Sequence, residues 1–345
     1  MQTVFGSRIQ FSIKILLVVV LAAILLISFA LGRFPVTPSE LIMGIYNHFF
    51  NADYVTANLD AGKIDRVIFE IRLPRILLVV LSGAGLAVAG SSLQGTFKNP
   101  LVSPDLLGAS AGASLGVCAA ILLDMPTWVV YLSAFGGGLA AVGLAMLLNT
   151  LVRYDPILGL VLCGILVSML FQAGMALVKY VADVNGKLPA ITLLLMGSFS
   201  SVNSRDLIWS VLPFLFGFVI LHMQRWYLNV LSFGDEEARA MGVNTRRVRL
   251  LVILASTLLA SVSVAVAGII GWVGLVIPHL ARAIVGPDYK VLLPTAAFIG
   301  ASFLLIIDDV ARLVSTVEIP IGILTAFIGV PFFVLIFRRN MQGWT

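Results

Sequence analysis

Ser232-Phe-Gly-Asp-Glu-Glu-Ala-Arg-Ala-Met-Gly-Val-Asn-Thr-Arg-Arg-Val-Arg249 is nearly the only long polar interruption in the second half of a very apolar chain. Asp235 can cap a helix whose first turn holds Glu236 and Glu237, acids that suit the positive end of a helix dipole. Gly242 stops that helix after about two turns. Asn244 can cap a second helix that opens on Arg246, Arg247 and Arg249 and runs on into apolar sequence. A two-turn helix is marginal alone in water, so something must hold it. Read by charge alone, the stretch is a solvated connection between two membrane spans.

The sequence on either side supports membrane spans. Of 345 residues, 60% are hydrophobic and 11% charged, far more apolar than a soluble domain needs. At roughly 20 residues per span, that content fills about ten membrane helices. A barrel would alternate apolar and polar positions, and these runs do not. The expected fold is an all-α integral membrane bundle, a single domain over 1–345, with 232–249 as a helical connection inside it. The 31 glycines suit close helix contact. Cys118 and Cys163 fall in apolar runs and lack disulfide or metal spacing. His48, His222 and His279 are scattered, so no metal site and no resident cofactor is expected. The net charge of +5 reflects basic loops and implies no nucleic-acid partner.

The first span is expected over 15–31, uncleaved because the run exceeds a signal core. Thr37-Pro38-Ser39-Glu40 then reads as the start of a short amphipathic helix reaching about Phe50. Further spans are expected over 74–97, from Ser103-Pro104 onward, and over 128–151, 157–178, 207–222 and 250–267. A bent eighth follows Gly268 to Pro278, and the last two cover 291–307 and 320–337. Residues 183–205 read as a polar connection. Gly108, Gly112 and Gly116 fall on one helix face, a packing seam or the lining of a path. Gln172, a polar residue mid-span, is a candidate path residue. Basic residues are commoner on the side holding the termini and 232–249, which makes that side cytoplasmic.

Several stretches together resemble the iron-chelate and vitamin B12 permease family, membrane subunits of type II ABC importers. They are Arg72-Leu-Pro-Arg75, Gln94-Gly-Thr-Phe-Lys-Asn99-Pro-Leu-Val-Ser-Pro104, Gly108-Ala-Ser-Ala-Gly112, Gly274-Leu-Val-Ile-Pro278-His279-Leu-Ala-Arg282, Asp309-Val-Ala-Arg312 and Glu318-Ile-Pro320-Ile-Gly322. The resemblance implies a ten-span subunit in a bacterial inner membrane with both termini cytoplasmic. Its implied partners are a second permease copy or homologue, two cytoplasmic ATPase subunits that bind ATP and Mg, and a substrate-binding protein.

Residues 232–249 hold the position of the family's ATPase-coupling helices, which makes Asp235, Glu236, Glu237, Arg239, Met241, Asn244 and Arg246 coupling residues. Arg72, Arg75 and Arg312 match positions that dock the binding protein. The competing internal reading pairs Arg72 with Glu70, and Arg312 with Asp308 or Asp309. Asn99 and Leu101 match part of a cytoplasmic gate. Its other half falls near Ile157 and Leu158, where apolar residues replace the family's hydroxyls. The implied activity is ATP-driven import, by alternating access, of a metal chelate: an iron–siderophore first, with haem, cobalamin or an oxyanion chelate also in range. The permease itself is no enzyme. An ion-gradient-driven secondary transporter is the alternative; it would need a buried carboxylate or broken-helix ion site near mid-membrane.

Overall fold

The computed structural model describes residues 2–32, 34, 36–51, 55, 58–152, 156–315 and 317–341. Fourteen helices are present among them: α1 (Gln2–Ala30), α2 (Pro38–Phe50), α3 (Leu59–Asp65), α4 (Leu73–Phe97), α5 (Ala109–Leu122), α6 (Thr127–Val152), α7 (Pro156–Val181), α8 (Lys187–Met196), α9 (Ser204–Leu231), α10 (Asp235–Ala240), α11 (Thr245–Ala267), α12 (Val273–Val285), α13 (Tyr289–Leu313) and α14 (Ile321–Met341). A π-helical turn, Arg66–Arg72, joins α3 to α4. No strand occurs among the described residues.

α4 is the centre of the bundle, and α9, α11, α12 and α13 pack around it. Its small residues explain why. A side chain on Gly83 would meet the Gly300 carbonyl of α13 at 2.4 Å, and one on Gly90 would meet the Gly274 carbonyl of α12 at 1.8 Å. These are backbone-to-backbone contacts that only glycine permits. The hydroxyls of Ser91, Ser92 and Thr96 donate to carbonyls four residues back, each at 2.8 Å, which satisfies them inside the helix, whereas the buried Ser82 hydroxyl of the same helix has no partner.

A second seam joins α5 to α6. A Cβ on Gly112 would lie 2.2 Å from the Gly137 carbonyl, and one on Gly116 would lie 2.0 Å from the Ser133 carbonyl. Gly112→Val is therefore expected to cost about 3 kcal/mol. Gly143→Ala, in α6 with open space around it, should stay within about 0.5 kcal/mol. Thermal unfolding in detergent, followed by size-exclusion, compares the two.

The expected short outer helix is α2. The Thr37 hydroxyl accepts from Glu40 N at 3.3 Å, and the Glu40 carboxylate accepts from Thr37 N at 2.7 Å, a complete capping box. Donation from the Thr37 backbone N–H, and from its hydroxyl at 2.8 Å, holds the Glu40 carboxyl below its usual range.

Among the described residues, seven helices are long and apolar enough to cross a membrane. The expected third, eighth and tenth spans fall on the shorter apolar helices α5, α12 and α14. α5 begins at Ala109, later than expected, because residues 98–108 turn back on themselves and Gly108 takes φ +84°. The Ser103 hydroxyl accepts from Leu106 N and its carbonyl from Leu107 N, each at 3.4 Å, bonds of this turn and not of the start of α5. The expected polar connection over 183–205 contains an apolar helix, α8, bounded by Gly186 and Gly197. α9 runs to Leu231, well past the expected end at His222, and Trp226 and Tyr227 lie within the helix.

Candidate functional site

The stretch 232–249 folds as two helices set off from the bundle. Gly234, at φ +140°, occupies the N-cap position of α10, so Asp235 is not the cap. Its carboxylate instead takes Arg249 Nη2 at 2.7 Å, tying α10 to α11. Gly242, at φ +79°, lies in the left-handed turn between the helices. The Asn244 side chain caps α11 by accepting from Arg247 N at 3.0 Å. Ala238, Val243, Thr245 and Val248 are buried and root the foot. Glu236, Glu237, Arg239, Asn244 and Arg246 are exposed, along with Phe233 (73% exposed) and Met241 (56%). Two large apolar side chains standing free among charges form the composition of a docking surface.

At the opposite end of α4, the three rim arginines are buried, with exposures of 4% for Arg72 and 7% for both Arg75 and Arg312. Within the single subunit all three side chains turn inward. The π-turn swings Arg72 toward the C-terminus of α1, where its guanidinium donates to the carbonyls of Phe29, Ala30 and Phe34. Those carbonyls lack helical partners, and a cation suits that end of the dipole. Glu70 is exposed and is not its partner. Arg75 forks onto Asp308, with Nη2 at 2.8 Å from Oδ1, and onto Glu318 at 3.0 and 2.8 Å. Arg312 pairs with Asp309 and lies 3.2 Å from Asp308. Ser28 of α1 donates to Asp309 at 2.7 Å. Three cations and three carboxylates thus join α1, α4, α13 and the connection into α14.

Between these ends the bundle holds breaks and a cavity. Asn99 Oδ1 accepts from Leu101 N at 2.9 Å, shaping the turn after α4, and Leu101 is 40% exposed. His279 of α12 reaches the Pro100 carbonyl at 3.0 Å and ties the same turn down. The side chains of Ile157 and Leu158 lie outside the described residues. Gly108 sits under α7, with Gly164 and Ser168 at 3.5 Å from where a Cβ would be. Gly112 is spent on the α5–α6 seam. Gln172 is exposed on α7, whose Leu166, Met169, Leu170 and Leu177 are likewise without neighbours in the single subunit.

A cavity of about 730 Å³ runs along α14, lined by Met196, Ile269, Trp272, Ala326, Phe327 and Val330 among others. Its wall is the break between α11 and α12. Gly268 takes φ +71° there against the Leu194 carbonyl, and Trp272 is held at φ +72°. The density of glycine at 268–274 signalled a bend. Nothing in the local sequence signalled that α8 and α14 would close around it.

An all-helical bundle whose described residues include seven helices of membrane-spanning length, with an exposed charged foot, defines a multi-pass membrane protein. The model of the FecCD transport family matches residues 17–339, and the chain belongs to that family. It is 38% identical over 341 residues to the molybdate import system permease protein of Haemophilus influenzae, covering 97% of each chain. It is 37% identical over 328 residues to the hemin transport system permease protein of Yersinia pestis, covering 92% of this chain and 95% of that one. A solved structure described as an inward-facing conformation of a metal-chelate type ABC transporter superimposes with a TM-score of 0.81 at 38% identity, covering 95% of this chain and 99% of that one.

Proposed function

We propose that the chain is the membrane subunit of an ATP-driven importer in the inner membrane, with both termini and the foot cytoplasmic. Two copies, or this chain with a homologue, pair across the uncovered faces of α7 and α14. ATPase subunits clasp the foot, and a binding protein delivers substrate at the opposite end. ATP closure pushes α10 and the start of α11 together, since the Asp235–Arg249 pair makes them one body. The bundle then changes which mouth is open. It needs only two states separated by a few kcal/mol for distant nucleotide binding to shift the balance. Gln172, Gly108, Asn99, Leu101 and the region of Ile157 and Leu158 lie on the proposed path.

The observation that carries this reading is the foot itself. Its roots are buried, while Phe233 and Met241 stand unpartnered among exposed charges. An ion-gradient mechanism needs a carboxylate that loads and releases a cation. Asp308 and Asp309 are held by Arg75 and Arg312, and protonating either carboxylate would leave this buried cluster short of one counter-charge.

The substrate proposed is a metal chelate, ferric chelates first. Molybdate is the second reading, favoured by the relative that matches 97% of both chains. The test is uptake into proteoliposomes carrying the permease, its ATPase and its binding protein, with ferric–siderophore, haem and molybdate compared. Uptake that requires ATP and the ATPase is the expected result. Uptake without nucleotide overturns the reading.

In the same assay Asn244→Ala is expected to cost about 1 kcal/mol of local helix stability, and to lower coupled uptake severalfold while leaving the bundle intact. Hydrogen exchange at residues 245–249 checks the first effect directly.

A further inference from the structure

Two cavities away from the α14 wall line up along one seam. The first, about 420 Å³, is an apolar groove between α9 and α13, lined by Phe218, Val219, Met223, Leu293, Ala297 and Phe298. The second, about 430 Å³, lies at the foot-side ends of the same helices, among Gln94, Lys98, Asn229, Arg282, Asp288 and Tyr289. Residues seven apart share a helix face, and those four apart nearly do. Val88 and Gly95 on α4, His222 and Asn229 on α9, and Leu293 and Tyr289 on α13 each place one member in each cavity. At 1.5 Å per residue the two chambers are about 10 Å apart along the helices. Trp226, 43% exposed, falls on the same stripe of α9 between them, where interfacial indoles belong.

The chambers differ in chemistry. Among the described residues neither Lys98 nor Arg282 has a carboxylate within ion-pair distance. The closest bonds of Arg282 to Gln94 Oε1 are long, 3.4 Å from each terminal nitrogen. Asp288 is already committed, accepting from Asn229 Nδ2 at 2.7 Å and from Lys290 N at 2.9 Å. The surplus charge in the polar chamber is therefore positive, while the chamber behind it is apolar and opens on the hydrocarbon-facing side of α9.

We propose that this seam is a phospholipid site, with an acyl chain in the α9–α13 groove and the phosphate of an anionic headgroup on Lys98 and Arg282. It rests on the proposed function only for the leaflet, the one facing the ATPase. Ser232 and Phe233 line the headgroup chamber, so a lipid there would brace the root of the foot. A free phosphate shares the headgroup chemistry but has no use for the groove.

The test is native mass spectrometry of the purified full chain, exposed to micelles containing phosphatidylglycerol or phosphatidylcholine with the same acyl chains. Phosphatidylglycerol should be retained about twentyfold over phosphatidylcholine. Lys98→Asn with Arg282→Gln should lower its retention about twentyfold and leave phosphatidylcholine unchanged. Ala297→Trp, which fills the groove and touches neither cation, should lower retention of both lipids. Inorganic phosphate and acyl-free glycerophosphoglycerol should compete only weakly.

Equal retention of the two lipids overturns the proposal, as does undiminished retention in the double variant. Displacement by phosphate alone overturns it in favour of a free-phosphate site. If the double variant does not fold, Lys98→Asn alone should still lower retention about fourfold, because Lys98 is exposed and asparagine tolerates its left-handed φ of 50°. No ATPase is present in this measurement, so its failure leaves the transport reading untouched, and failure of ATP-driven uptake leaves lipid retention to be judged alone.

Discussion

Replacing Glu236, Glu237 and Arg239 together by alanine is expected to lower ATP-dependent uptake in reconstituted vesicles about 100-fold, with the permease still folded. All three side chains are exposed, and the residues that root the foot, Ala238, Val243 and Val248, are untouched. A loss of about 3 kcal/mol across three contacts is ordinary for the centre of a protein interface, and it corresponds to that factor. The melting temperature of the purified subunit should match the parent. ATP hydrolysis by the assembled complex should continue while uptake stops, since the ATPase loses its lever and keeps its own site. Parent-like uptake in this variant would remove the foot from the transport cycle.

The second large effect is expected at Asp308. Asp308→Asn removes the carboxylate that Arg75 grips through Nε and Nη2 and that Arg312 approaches at 3.2 Å. Asp308 is fully buried, so the loss leaves two buried guanidinium groups short of one counter-charge. Breaking a buried ionic arrangement of this kind costs about 3–5 kcal/mol. Thermal unfolding in detergent reads it. Glu318→Gln should cost distinctly less, because Glu318 is partly exposed and water can replace it. The same pair of variants also separates internal bracing from docking. If Asp308→Asn left stability unchanged but weakened association with the binding protein, the arginines would be docking residues after all.

Much of the architecture could be read from the residues. The apolar runs gave the helices, because lipid leaves a backbone no other way to satisfy its hydrogen bonds. Thr37 and Asn244 announced helix starts, and both side chains accept the bonds that caps accept. Other boundaries were misplaced where tertiary contact overrode local signals. α8 was hidden because Gly186 and Gly197 look like loop residues around it, and its end is fixed by distant bonds: Ser198 N to the Ala267 carbonyl and Ile321 N to the Gly197 carbonyl.

The arginines at 72, 75 and 312 carry the same chemistry whether exposed or buried. The pairing of Arg312 with Asp308 or Asp309 is within reach of helical spacing, but only the three-dimensional arrival of the Phe29 and Phe34 carbonyls at Arg72, and of Asp308 and Glu318 at Arg75, shows what those two bind within the subunit. Arg249 was read as one more charge at a helix start, and its partner Asp235 lies 14 positions away, beyond the reach of helical spacing rules. His279, one of three scattered histidines in the sequence, reaches the Pro100 carbonyl across 179 positions, a contact that no local spacing announces.

The glycine contacts along α4 restrict how such a machine can move. Where Gly83 abuts Gly300 and Gly90 abuts Gly274, no flexible side chain lies between the backbones to absorb sliding. α4, α12 and α13 must therefore travel as one block, an axle about which looser parts swing. Spin labels that span this block should keep one separation through a nucleotide cycle. Labels on α7 and α14, whose outer faces have no neighbour in the single chain, should report the whole of the excursion.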